Sequence, residues 1–173
     1  FPDRGGDAIY YRETGDPEGE AVRVDTDMSD YAINASGTLV TYLKDSDLYQ
    51  SDLTDKERIA SDVEAFWVTN DGKTVTYFNT DDGYYRWTSG SESEKLVSNI
   101  TNIEYVSDDL SEVLYVKDGS LYRQTGTEEP VKITSDVENV VRILDSGELY
   151  YTKSASDDLS VMDYIEDDLA SSD

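Results

Sequence analysis

The chain has 173 residues, 39 Asp and Glu against 14 Lys and Arg, a formal charge of −25 and a pI near 4.1. It contains no His and no Cys, which removes the commonest general base, thiol nucleophiles, thiolate zinc sites and disulfides. A charge of this sign and size repels phosphates and anionic headgroups and argues against nucleic acid or a membrane surface as partner, while 37% hydrophobic residues and 14 Tyr suffice for a core.

No apolar run approaches the roughly 20 residues of a membrane span, and a start at Phe1 suggests a processed product or part of something longer. Along the chain, Ile9-Tyr10-Tyr11-Arg12 and Ala21-Val22-Arg23-Val24 read as two outer strands of an incomplete blade, so residues 1–25 are an N-terminal tail plus those strands. A repeated unit then occupies residues 26–156. Its marker is a hydroxyl residue, Asp or Asn, and an apolar residue: Thr26-Asp27-Met28, Ser61-Asp62-Val63, Ser98-Asn99-Ile100 and Ser135-Asp136-Val137, spaced by 35, 37 and 37 residues.

Five residues beyond the start of each marker begins an apolar segment: Tyr31-Ala32-Ile33, Phe66-Trp67-Val68, Ile103 to Val106, and Val140 to Leu144. These predict buried inner strands near 28–34, 63–69, 100–107 and 137–144. Gly-, Asn- and Asp-containing turns follow, such as Asn70-Asp71-Gly72 and Asp145-Ser146-Gly147. A second strand carries an aliphatic residue and a Tyr two positions on, at Val40/Tyr42, Val75/Tyr77, Val113/Tyr115 and Leu149/Tyr151; period two puts each pair on one face. Third strands centre on Leu48-Tyr49, Tyr84-Tyr85 and Leu121-Tyr122, with a faint copy at Leu159 to Val161, and short fourth strands run into the next marker. Residues 157–173 hold seven acids and no base, predicting an acidic C-terminal tail or a short helix.

Four short strands per repeat of about 37 residues, without helices between them, predict an all-β fold: a β-propeller or propeller arc of about four blades, each of four antiparallel strands. Thr69-Asn70-Asp71-Gly72-Lys73, then Val75-Thr76-Tyr77-Phe78, Tyr84-Tyr85 and Glu94-Lys95-Leu96, resembles the repeat of TolB-like propellers, although no copy has that repeat's Pro. The resemblance spans Ile9 to Tyr151. In its acidic, Tyr-rich, Cys-free composition the chain is similar to extracytoplasmic propellers of Gram-positive anaerobes. This implies an extracellular or cell-surface recognition scaffold, of a kind often tethered by a membrane segment outside the propeller. It implies no chemistry.

Asp27, Asp62, Asn99 and Asp136 hold equivalent places before the inner strands. Asp27, Asp62 and Asp136 are the metal candidates, with Ca²⁺ the fitting ion because hard cations prefer oxygen ligands; the preferred reading is that each side chain accepts a backbone N–H and fixes the loop, with no cofactor. Trp67 and Trp87 are the binding-face candidates for a sugar or peptide, Trp67 expected in core or channel lining and Trp87 partly exposed. Without His no Ser triad forms, and no Gly-x-Ser-x-Gly or Ser-x-x-Lys motif occurs. No catalytic residue is assigned. The expectation is a noncatalytic scaffold that binds a protein, peptide or glycan, with further blades or another chain completing the propeller; the alternative is an accessory propeller of a larger peptidase or glycosidase.

Overall fold

The computed structural model describes residues 6–153; the tail or helix expected at 157–173 lies outside them. The described residues form strands and turns only, as expected, and the strands build four antiparallel sheets. The first sheet contains β1 (Asp7–Tyr11), β2 (Val22–Ile33), β3 (Val40–Lys44), β4 (Asp47–Ser51) and β5 (Lys56–Ala60) in that order. The second contains β6 (Val63–Val68), β7 (Thr74–Asn79), β8 (Tyr84–Thr88) and β9 (Glu94–Val97). The third contains β10 (Asn102–Val106), β11 (Glu112–Lys117), β12 (Ser120–Thr125) and β13 (Val131–Thr134); β14 (Val137–Ile143) and β15 (Leu149–Lys153) form the fourth.

Each sheet follows chain order, so in the second and third sheets the second strand lies in the middle and the inner strand at an edge. Burial follows that order. Four consecutive residues are buried in each of β3, β7 and β11, whereas β10 has only exposed and half-buried positions and β14 has the same after its buried first residue, Val137. The expected burial of the inner strands is therefore corrected. An edge strand has a sheet neighbour on one side only, and a middle strand has one on both.

β2 is twelve residues long because a fourth strand and an inner strand join without a break. Its first half pairs with β1 and its second half with β3, Met28 facing both Asp7 and Lys44. Asp27 at the join has φ 58°, and Asp62, Asn99 and Asp136 have 56°, 58° and 59°. Asp and Asn tolerate this left-handed conformation better than other side-chain-bearing residues. The apolar residue of the marker donates backward in two copies, Val63 N–H to Ser46 O at 2.8 Å and Val137 N–H to Gly119 O at 2.9 Å. All four markers thus place Asp or Asn where the backbone is left-handed.

Two compact units divide the chain: one holds the first and second sheets with Asp108–Leu110, the other the third and fourth sheets. In the first unit Leu43 and Leu48 pack against Val63, Val75, Tyr77 and Trp87. Its hairpin turns also meet: Ala35 N–H donates to Asn70 O at 2.8 Å, Asn34 Nδ2 to Asp71 O at 3.0 Å and Gln50 Nε2 to Gly72 O at 2.6 Å. Gly72 has φ 75°, and a Cβ there would lie 2.9 Å from Asn34 Cβ, so the close approach requires glycine. In the second unit Val116 and Leu121 pack against Val137, Leu149 and Tyr151.

Second- and third-strand tyrosines stand directly opposite and stack, Tyr42 on Tyr49, Tyr77 on Tyr85 and Tyr115 on Tyr122, with centroids 5.5, 5.1 and 5.6 Å apart. Such pairs contribute about 0.5–1.5 kcal/mol beyond area burial. The recurring Tyr thus holds one sheet together internally as well as facing its neighbour.

Candidate functional site

A pocket of about 360 Å³ lies within the second unit, where the third sheet faces the β14–β15 hairpin. Tyr105, Leu114 and Arg123 stand opposite one another on β10, β11 and β12, and so form a row across one face of the sheet. Leu114 and Leu149 are buried and make the floor; Tyr105 and Ile133, each 40% exposed, stand with Arg123 at the rim. Ser107, Glu112 and the turn Leu144 to Gly147 complete the wall. An apolar floor beneath an aromatic ring and a guanidinium can hold an apolar side chain while orienting a carbonyl or carboxylate. Among the described residues Arg123 makes no ion pair.

The sequence candidates fall elsewhere. Asp27 sits inside β2 and Asp62 and Asp136 at joins between sheets, and Thr26 Oγ1 and Ser135 Oγ donate to Asp27 and Asp136 at 3.0 and 3.2 Å. No three acidic side chains gather as a metal site among the described residues. The partly exposed Trp87 is corrected: it is 2% exposed, packed in the core between the first and second sheets, and presents no ring face. Trp67 is half-buried on the edge strand β6, edge-on to Tyr84 at 6.1 Å, and remains available as a recognition group. Trp87 is enclosed because it is two residues after Tyr85, on the face that meets the neighbouring sheet.

Asp25 escaped the sequence reading. It is 9% exposed and accepts from Lys44 Nζ at 2.7 Å, Tyr42 OH at 2.8 Å, Thr26 N–H at 2.8 Å and Lys56 Nζ at 3.1 Å. Burial raises its pKa, but these hydrogen bonds outweigh burial and hold the carboxyl well below the usual carboxylate range. Burial, reinforced by Asp25, pushes the Tyr42 hydroxyl upward. A carboxylate fixed in its ionised form between two ammonium groups is a tie among β2, β3 and β5, unsuited to proton transfer near neutral pH. One signal was visible: its register counterparts are Ala60, Val97 and Thr134, so Asp is the exception.

No protein-family model matches the sequence, and no curated protein matches it. Among solved structures the chain is similar to the crystal structure of the tricorn protease, with TM-score 0.57 and 16% identity over 80% of this chain and 16% of that one. It is also similar to the structure of putative TolB from Agrobacterium tumefaciens, with TM-score 0.53 and 14% identity over 81% of this chain and 60% of that one. This chain thus spans less than two thirds of either length. At these identities the likeness is one of fold, and the four-stranded sheets are β-propeller blades.

Proposed function

We propose that the chain is a noncatalytic propeller domain acting outside the cell as a binding or sensing scaffold, with an extended peptide as the ligand class favoured over a glycan. The observation that carries this reading is the pocket of the second unit: a buried leucine floor, with Tyr105, Ile133 and Arg123 at the rim. A peptide supplies both halves of the required chemistry, apolar side chains for the floor and carbonyl oxygens or a carboxylate for Arg123. The acidic, Cys-free composition and the TolB-like repeat support an extracytoplasmic setting, with a tether outside these residues.

The test is a peptide array and a glycan array probed with the 173-residue chain. Retention of extended apolar peptides, lost in Tyr105→Ala and Arg123→Glu, is the expected result; retention of glycans alone, or of nothing, overturns it. No hydrolysis of ester, peptide or glycoside substrates is expected. Turnover abolished by a single carboxylate-to-amide change would refute the noncatalytic assignment.

The likeness to a segment of the tricorn protease favours a second reading, in which the domain is an accessory propeller of a larger hydrolase. Flanking sequence separates the two: a membrane helix supports the first, a hydrolase domain the second.

A further inference from the structure

The first unit holds a filled copy of the place that is open in the second. Register aligns Gln50 with Arg123 and Thr41 with Leu114: Tyr42 faces Tyr49 and Thr41 faces Gln50, as Tyr115 faces Tyr122 and Leu114 faces Arg123. The hairpin turn of the following sheet aligns likewise. Gly72 and Gly147 both have positive φ, and each donates three residues back, to Thr69 O and Leu144 O. In the first unit Gln50 Nε2 donates to Gly72 O at 2.6 Å, and a Cβ on Gly72 would lie 2.9 Å from Asn34 Cβ, so blade and turn touch. In the second unit a Cβ on Gly147 would meet nothing within 4 Å, and among the described residues the Arg123 guanidinium makes no hydrogen bond to the turn. That turn is one residue shorter, Leu144 N–H closing on Glu148 O where Thr69 N–H closes on Thr74 O. The recess lies between it and Arg123.

The filled copy shows what fits the open one. Gln50 takes a backbone carbonyl, so the group at Arg123 is an acceptor of the same kind; Leu114, in the place of Thr41, asks for an apolar neighbour. Charge adds a further requirement. Glu112 stands two residues before Leu114 on β11, on the same face, and Asp145 lies on the facing turn. Both line the pocket, and neither pairs with Arg123. The lining thus carries one guanidinium and two carboxylates in a chain of charge −25, which complements a cation. Glu112 is the diagonal neighbour of Arg123 across the β11–β12 pair. Such positions are about 7–8 Å apart, roughly two residues of extended peptide.

Resting on the peptide reading above, we infer that the pocket selects a cationic peptide segment. An apolar side chain sits on Leu114 and Leu149, its backbone carbonyl accepts from Arg123 as Gly72 O accepts from Gln50, and a Lys or Arg about two residues along lies beside Glu112 and Asp145. The probes are three end-capped hexapeptides that differ at one position, Lys, Gln or Glu two residues from a central Leu, titrated against the 173-residue chain by fluorescence anisotropy. The Lys peptide binds about threefold or more tighter than the Gln peptide, and the Glu peptide binds more weakly still. The preference shrinks as salt rises. Glu112→Gln with Asp145→Asn abolishes the preference and keeps binding of the Gln peptide. Glu18→Gln with Glu20→Gln, which removes the same charge from exposed positions, leaves the preference in place. Arg123→Gln holds the Gln peptide to within about threefold, whereas Arg123→Ala weakens it about tenfold or more. Three results overturn the inference and leave the peptide reading standing: equal binding of the three peptides, a preference that survives Glu112→Gln with Asp145→Asn, or Arg123→Gln as weak as Arg123→Ala. Binding of none of the peptides overturns both. The comparison of peptides on the unmodified chain stands even if a variant misfolds.

Discussion

The interface between the first and second blades and that between the third blade and the β14–β15 hairpin start from the same repeat and differ in their filling. In the first, Ile59 packs against a cluster that includes Trp87 from the third strand of the facing blade. In the second, Ile133 holds the register position of Ile59, 40% exposed at the rim of the pocket. The apolar residues along the middle strands are alike in both. A blade-to-blade contact is therefore sealed near the middle of the sheet by second-strand residues and toward the outside by the third strand. At the second interface the outer part of the same surface, around Ile133, is a recess.

The comparison can be broken first at Trp87. Truncation to Ala removes the third-strand seal and costs about 3–5 kcal/mol, read as a lower denaturant midpoint. Next is the ionic tie at Asp25, whose register counterpart Thr134 precedes the fourth sheet and carries no charge. Asp25→Asn keeps the shape, removes the charge and costs about 1–3 kcal/mol at neutral pH. Its pH dependence has a fixed sign. The folded-state pKa is depressed, so the stabilisation is present above the unfolded carboxylate value near ~4 and is lost as pH falls below it. The gap between wild type and Asp25→Asn in thermal melts should thus narrow on acidification; a gap that widens would contradict the tie.

A smaller effect sharpens the contrast directly. Ile59→Ala should destabilise by about 1–2 kcal/mol and Ile133→Ala by less than about 0.5 kcal/mol, because a residue at the rim already meets water. Equal losses would show that the two interfaces are sealed alike. Smallest of all, Arg123→Ala should change stability by within about 0.5 kcal/mol while abolishing peptide retention, which separates a recognition residue from a packing residue.

The blade repeat was legible in the spacing of four markers, because the entry to each inner strand has a left-handed residue and only a few residue types accept it. What the marker Asp does was not. A loop-fixing hydrogen bond and a left-handed backbone both select Asp or Asn, and the positive φ that the four share is a property of the folded backbone. Trp87 was misread from its place at a strand end, although its period-two relation to Tyr85 already put it on the packed face. The pocket could not be read at all, since Tyr105, Arg123 and Ile133 belong to three strands whose convergence depends on register shifts that leave no compositional trace.

Taken alone, the sequence determined the all-β class, the strand sequence within each repeat and the exclusion of histidine and cysteine chemistry, because periodicity, turn residues and side-chain inventory are local properties. Tertiary structure decided which tryptophan is enclosed, where Asp25 finds its two lysines, and where a recess remains. Those outcomes depend on which face of one sheet meets another. Alternation along a strand defines two faces and does not say which of them will be covered.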